Sequence, residues 1–172
     1  MPRSHSPLEI YVAALKNAHA LCAEAEGVYR RQADHADDYP AIAERLRTQS
    51  QAVAAQKARL ERALEAQGEA PSAFKDAVTS AVGAAAEFGH GLTGDAVIKD
   101  FFVAASFAGL SHVAFRSLKT SAELAGQAQR DADIDESIRE CEDFGRWLYE
   151  HVDPLTRDYT ARVGRGDEAQ PT

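Results

Sequence analysis

The sequence predicts an all-α protein, and three observations support that class. Alanine is abundant, glycine and proline are scarce inside the long segments, and runs of β-branched residues are absent, a composition that favours helix. Apolar residues recur at three- and four-residue spacing in four long stretches, as on amphipathic helices. Two short links and one long link join these stretches. That connectivity predicts a ferritin-like four-helix bundle with one crossover.

The first two helices are predicted to form a hairpin. The first spans about residues 7–33, and Ser6 is a suitable N-cap because Pro7 then occupies the first helical position. The second spans about residues 40–67 and is followed by Gly68, where a helix C-terminal glycine is expected.

A long connection separates the two halves of the predicted bundle. It runs over residues 68–94 and contains an amphipathic stretch, residues 73–88, which we expect to form a short extra helix. The third helix is predicted over about residues 95–125. The fourth is predicted over about residues 133–161, with a kink at Pro154 because proline removes a helical hydrogen bond.

Length and charge restrict the class of protein. The 172 residues suffice for one domain, expected over residues 1–161 with a disordered tail over residues 162–172. The net charge of −8 argues against nucleic acid as a partner, since such surfaces cluster Lys and Arg. No apolar run reaches the about 20 residues that span a bilayer, and no signal peptide is evident. We therefore expect a cytoplasmic protein without membrane contact.

One face of the third predicted helix is unusually thin. The stretch FFVAASFAGLSHVAF places Phe101 and Phe115 at the ends of that face and only Ala104, Ala108 and Ser111 between them. Core positions normally carry larger side chains, because protein interiors are closely packed. The thin middle of this face therefore requires an explanation.

Several segments carry a resemblance to a known family over about residues 8–160. They are NAHALCAEA, DDYPAIAERLRTQS, KARLERALEAQGEAPSAFKD, VIKDFF through FRSL, and WLYEHVDPLTRDY. With these segments the chain resembles the small bacterial ferritin-like proteins of the YciE/YciF type. The resemblance implies a ferritin-like fold, a homodimer and an association with stress responses. It also implies inward carboxylates suited to a pair of iron or manganese ions.

The ligand positions that the resemblance implies are mostly degenerate in this sequence. They are Cys22, Gln49, Ala52, Ala108, Ser111, and Glu140 or Cys141. Two divalent cations in a bundle need several carboxylates, because hard metals prefer oxygen ligands. We therefore expect no metal, no cofactor and no catalytic residue, and we interpret the thin face as the place of missing carboxylates. The expected function is non-enzymatic, that of a stress-associated structural or binding protein.

Two alternatives remain open. The first is an iron-binding protein or oxidase with a reduced or displaced metal site, built on Glu24, Glu26, Glu140, Glu142 and His19. The second is a thiol-redox protein that uses Cys22 and Cys141, which lie at similar depth on inward stripes and could bind a soft metal with His19 or His112. A free buried cysteine more often serves as a small hydrophobic residue.

The aromatic residues of the third helix indicate a second apolar face. Phe102 and Phe107 cannot share the innermost face with Phe101, so we expect one or both to meet another subunit in a homodimer. The thin layer itself is expected to close by approach of the helices. The alternative is a small cavity edged by Gln49, Gln56, Cys22 and Ser111.

Overall fold

Four α-helices account for nearly all of the chain that the structure describes. The computed structural model describes residues 5–69, 96–127, 129 and 131–166. The helices are α1 (Pro7–His35), α2 (Pro40–Ala66), α3 (Ala96–Leu124) and α4 (Asp131–Arg165). These described ranges contain no β-strand. The predicted all-α class is confirmed, and seven of the eight helix ends lie within two residues of their predicted positions.

The start of α1 and the end of α2 follow from local sequence. The Ser6 hydroxyl accepts a hydrogen bond from the Glu9 backbone N–H at 3.2 Å, and the Glu9 carboxylate accepts one from the Ser6 N–H at 2.7 Å. This capping box satisfies two backbone donors that a helix start leaves free. After α2, Gly68 has a φ of 77°, the left-handed conformation that glycine adopts without steric cost. Both predicted helix signals are confirmed.

The helix directions establish the crossover topology. Residues early in one helix meet residues late in its neighbour, as in His19 with Glu61, Glu26 with Lys57, Tyr29 with Ala104, Gln32 with Asp100, and Lys119 with Asp135. Helix α1 is therefore antiparallel to both α2 and α3, so α2 and α3 run in the same direction. The end of α2 and the start of α3 therefore lie at opposite ends of the bundle, as in ferritin-like folds with one crossover. The predicted short helix over residues 73–88 lies outside the described residues.

Helices α2 and α4 are the neighbouring pair that approach each other least closely, whereas α1 packs tightly on α2 and α3, and α3 on α4. Long side chains occupy the wider interval between α2 and α4. The Arg45 guanidinium lies 5.0 Å from the centre of the Phe144 ring and 5.6 Å from that of Trp147. Further along α2, Arg59 reaches Glu140. This interval holds the hydrogen bonds of Gln56 and Arg59 to Glu140.

Two expectations from the sequence need correction. Helix α4 continues through Pro154 to Arg165, so the helical domain extends past residue 161 into the predicted disordered tail. The segment Val97–Leu124 of α3 is long and apolar enough to span a membrane by length and composition, with a mean hydropathy of 1.3. Only a third of the tested stretch is buried. The core helix of a soluble bundle can also have this length and composition. The expectation that no segment is long and apolar enough to span a bilayer was nevertheless wrong.

Candidate functional site

The thin face of α3 is filled by aromatic rings from its neighbours. The Tyr29 side chain of α1 lies against it and donates a hydrogen bond from its hydroxyl to the Ala104 carbonyl at 3.4 Å. Its ring centre is 5.1 Å from that of Phe144 and 6.4 Å from that of Phe107, both edge-on. Burial raises the pKa of Tyr29 well above its ordinary value. Small residues on α3 thus provide the space that this ring needs.

A buried amide lies at the centre of the bundle. Gln56 of α2 is fully buried. Its Oε1 accepts a weak hydrogen bond from the Cys22 thiol of α1 at 3.8 Å, and its Nε2 donates to Glu140 Oε2 of α4 at 2.9 Å. The same nitrogen lies 3.9 Å from the Cys141 sulfur. Gln56 therefore joins both cysteines and Glu140 in one network.

Arg59, one helical turn after Gln56, completes this network. Its guanidinium donates to both oxygens of Glu140, at 2.7 and 2.9 Å, and to Ser137 Oγ at 2.9 Å. Glu136 is a further 3.3 Å contact. The Arg59 side chain is only 10% exposed, against 25% for Glu140. We call Cys22, Gln56, Arg59, Ser137, Glu140 and Cys141 the polar layer.

The polar layer contains one carboxylate, Glu140, and one positively charged side chain, Arg59. Burial raises the pKa of Glu140, while the hydrogen bond from Gln56 and the charge of Arg59 act in the opposite direction. Burial also raises the pKa of the Cys141 thiol to about 12 and that of the Cys22 thiol still higher. Both cysteines are free. At neutral pH they are protonated thiols, which are poor nucleophiles and poor metal ligands.

The predicted ligand positions do not form a donor set for a divalent ion. Gln49 is buried and accepts from Arg45 at 3.4 Å, while Ala108 and Ser111 are buried and Ala52 partly so. Among the described residues, no three His, Cys, Asp or Glu side chains converge as a metal site would require. The residues of the polar layer do not fit iron or manganese, because a guanidinium holds the oxygens of the single carboxylate.

Four of the five residues of the postulated displaced metal site are paired with other side chains. His19 donates to Glu61 at 3.0 Å, Glu26 pairs with Lys57, and His112 donates to Glu142 at 3.1 Å. The structure therefore brings Cys22 and Cys141 to one amide but does not bring this histidine and carboxylate set together.

Two openings in the described part of the bundle lie at other residues than the cavity that was named as the alternative to a closed thin layer. A groove of about 140 Å³ runs between α3 and α4, with Ala105, Gly109, Gly145 and Cys141 among its lining residues. A second cavity of about 10 Å³, near the size of a single water, adjoins Arg59. Neither is lined by Gln49, Gln56, Cys22 or Ser111, the residues that would edge the alternative cavity.

The helix directions and the single crossover define the class of this protein as an all-α, ferritin-like four-helix bundle. The chain belongs to the family described as a domain of unknown function (DUF892), whose sequence profile matches residues 6–161. A crystal structure of a protein from Xanthomonas campestris pv. campestris has the same fold, with a TM-score of 0.76 at 22% identity. That match covers 92% of this chain and 98% of the other. No protein with a curated description matches the chain.

Proposed function

We propose that the protein is a metal-free member of its family with a non-enzymatic structural or binding role. The observation that carries this proposal is the bidentate contact between Arg59 and Glu140. The guanidinium occupies the lone pairs of Glu140 that a metal ion would use, and it places a fixed positive charge in the same space. A divalent cation would have to displace it.

Electrostatics and ligand chemistry both support this proposal. A divalent cation beside a guanidinium meets like-charge repulsion, which is strong where water is scarce. Arg59 and Glu140 neutralise each other, and the other groups of the polar layer are an amide, a hydroxyl and two protonated thiols. The half-exposed Glu136 adds one negative charge at the edge of the layer, and it too is paired with Arg59. An ion with two positive charges would remain uncompensated there, and burying unmatched charge is costly.

The physiological setting is proposed from the resemblance to the YciE/YciF type. This resemblance supports a stress-associated protein that works in the cytoplasm. A thiol-redox role for Cys22 and Cys141 is the second candidate, since both thiols contact Gln56. The raised pKa of each thiol weighs against it, because thiolate is the reactive form.

Metal analysis tests the proposed function. The protein is produced in medium supplemented with iron and manganese, purified without chelators and analysed for metal, then mixed with ferrous iron in air. We expect trace metal and ferrous oxidation at the rate of the buffer blank. Near-stoichiometric metal, or turnover of ferrous iron above that blank, would contradict a metal-free bundle.

A further inference from the structure

The groove between α3 and α4 contains unfilled space that opens at the surface of the bundle. Its volume is about 140 Å³, close to the about 150 Å³ of a protein cavity that takes up benzene. Gly109 of α3 and Gly145 of α4 both line it. An added Cβ at either glycine would meet nothing within 4 Å. The groove therefore has room for a ring or for a branched aliphatic side chain.

The deeper part of the groove is lined by small and uncharged residues. Ala105 and Ala108 line it from α3, and Cys141 lines it from α4. Ala108 is 5% exposed and Cys141 is 4% exposed, so the groove reaches the buried core. Because burial raises the pKa of the Cys141 thiol to about 12, this residue is uncharged at neutral pH. Such a lining favours an apolar group over a charged one.

Two side chains of opposite charge line the same groove. Glu142 and Arg146 both belong to α4 and are exposed. Their spacing of four residues, with Glu first, is the one in which a helical ion pair commonly forms. Each contacts another residue, however: Glu142 Oε1 lies 3.1 Å from His112 Nε2, and Arg146 donates to Asp143 at 3.1 Å. The groove therefore offers one anionic and one cationic group.

The present contacts of Glu142 and Arg146 are weak obstacles to a ligand. The Glu142 side chain is 44% exposed and that of His112 is 36% exposed. The side chains of Arg146 and Asp143 are 64% and 65% exposed. Ion pairs that are so exposed contribute little, because water screens them. A ligand can therefore replace either partner at small cost.

The charges of the groove select the class of ligand. An anion would meet Glu142 on a chain whose net charge is −8, and a cation would meet Arg146. A zwitterion matches both side chains and adds no net charge. Four residues span about 6 Å along a helix, so the long side chains of Glu142 and Arg146 can both reach groups on a single carbon atom. An ammonium and a carboxylate on one carbon define an α-amino acid.

We propose that the groove between α3 and α4 is a binding site for a free α-amino acid with an apolar side chain. The ammonium group binds Glu142, the carboxylate binds the Arg146 guanidinium, and the apolar side chain lies over the two glycines. Glu142 and Arg146 do not belong to the polar layer, so this site does not depend on whether that layer binds metal. A failure of either proposal is thus distinguishable from a failure of the other.

Calorimetric titration of the full chain with phenylalanine tests the site. We expect a Kd of about 1 mM, as is usual for a ligand of about 12 non-hydrogen atoms in an open site. Phenylacetate lacks the ammonium group and phenethylamine lacks the carboxylate, so each should bind about tenfold more weakly. Gly109→Leu fills the groove and abolishes binding. Circular dichroism verifies that this variant is folded.

Variants of the two charges test which group of the ligand each one holds. Arg146→Gln should weaken phenylalanine binding about tenfold and leave the affinity for phenethylamine unchanged, because phenethylamine has no carboxylate. Glu142→Gln should weaken phenylalanine binding equally and leave that for phenylacetate unchanged. A purely structural role would change all three affinities together. Arg157→Gln is the matched control, because Arg157 is exposed on the same helix about 16 Å beyond Arg146, and it should change none of them.

Four results would overturn the proposal. The first is the absence of phenylalanine binding at ten times the expected Kd. The second is an affinity for phenylacetate or phenethylamine that equals or exceeds that for phenylalanine, which would assign the groove to a singly charged ligand. Binding that survives in Gly109→Leu would place the ligand outside the groove. Equal losses in Arg146→Gln and Arg157→Gln would exclude a specific contact between Arg146 and the carboxylate.

Discussion

Removing the Arg59 guanidinium should leave Glu140 as a buried and largely uncompensated charge. Arg59→Met keeps the length and the apolar packing of the stem while it deletes three hydrogen bonds, two to Glu140 and one to Ser137. Only the Gln56 amide then remains as a donor to that carboxylate. We expect this variant to be markedly less stable than the wild type at neutral pH.

The magnitude follows from the burial of the two groups. Breaking a fully buried ion pair by removing one partner costs about 3–5 kcal/mol. The Glu140 side chain is 25% exposed, so water partly compensates its charge. We therefore expect a loss of about 2–3 kcal/mol, equivalent to a fall in Tm of about 4–12 °C for a chain of this size.

The loss should depend on pH in a defined direction. Burial already raises the pKa of Glu140, and Arg59 opposes that rise. Without Arg59 the folded-state pKa rises further. A raised carboxyl pKa gives stability that is fully present below the unfolded-state value and is lost as pH increases through the folded-state value. The deficit of the variant is therefore largest near neutral pH and smaller at about pH 4, near the ordinary pKa of Glu.

Urea unfolding followed by circular dichroism measures these differences. Arg62→Met is the matched control, because Arg62 follows Arg59 by one helical turn on α2 but is exposed. This control should change the free energy of unfolding by at most about 0.5 kcal/mol. Adding Glu140→Gln to Arg59→Met removes the unpaired carboxylate charge and should restore about 1–2 kcal/mol of the free energy of unfolding. A loss below about 1 kcal/mol, or strictly additive effects in the double variant, would refute the reasoning.

Three further predictions concern the core and the helix ends. Both thiols should resist alkylation in the native protein and react fully in denaturant, because burial raises the Cys141 pKa to about 12 and the other higher; rapid native labelling would contradict this. Ala104→Leu should cost about 1–3 kcal/mol in thermal unfolding, since Tyr29 occupies that space. Gly68→Ala should destabilise the protein by about 1 kcal/mol, because Gly68 has a positive φ. Gly145→Ala should stabilise it slightly, because Gly145 is helical and an added Cβ would meet nothing within 4 Å. Equal effects of the two substitutions would refute the conformational argument.

Local signals explain why the fold was predictable. The four helices follow from the spacing of apolar residues, and the first of them starts at a Ser6–Glu9 capping box. The crossover follows from link lengths alone. The end of α4 was misplaced because the residues after Ala161 are polar and carry no apolar stripe, whereas the helix continues to Arg165 and Arg162 contacts the Tyr39 ring and the Asp38 carbonyl.

The polar layer was only half predictable. Gln56 was named as an inward residue at the edge of the alternative cavity. Arg59 was missed, because a charged residue is rarely buried unless it has a partner. That partner, Glu140, lies 81 positions away in the sequence. Arg59 follows Gln56 by one helical turn on the inward side of α2. That spacing is the sequence signal that could have placed Arg59 in the polar layer. The ring that fills the thin face, Tyr29, is likewise a tertiary contact without a local signature.

A manganese titration tests most directly whether Arg59 occupies the space that a metal ion would need. Binding of Mn²⁺ is followed by electron paramagnetic resonance for the wild type and for the double variant Gln56→Glu with Arg59→Leu, which adds a carboxylate and removes the cation. We expect the wild type to leave all Mn²⁺ free and the double variant to bind it. Saturable binding by the wild type, unchanged in the double variant, would contradict the claim.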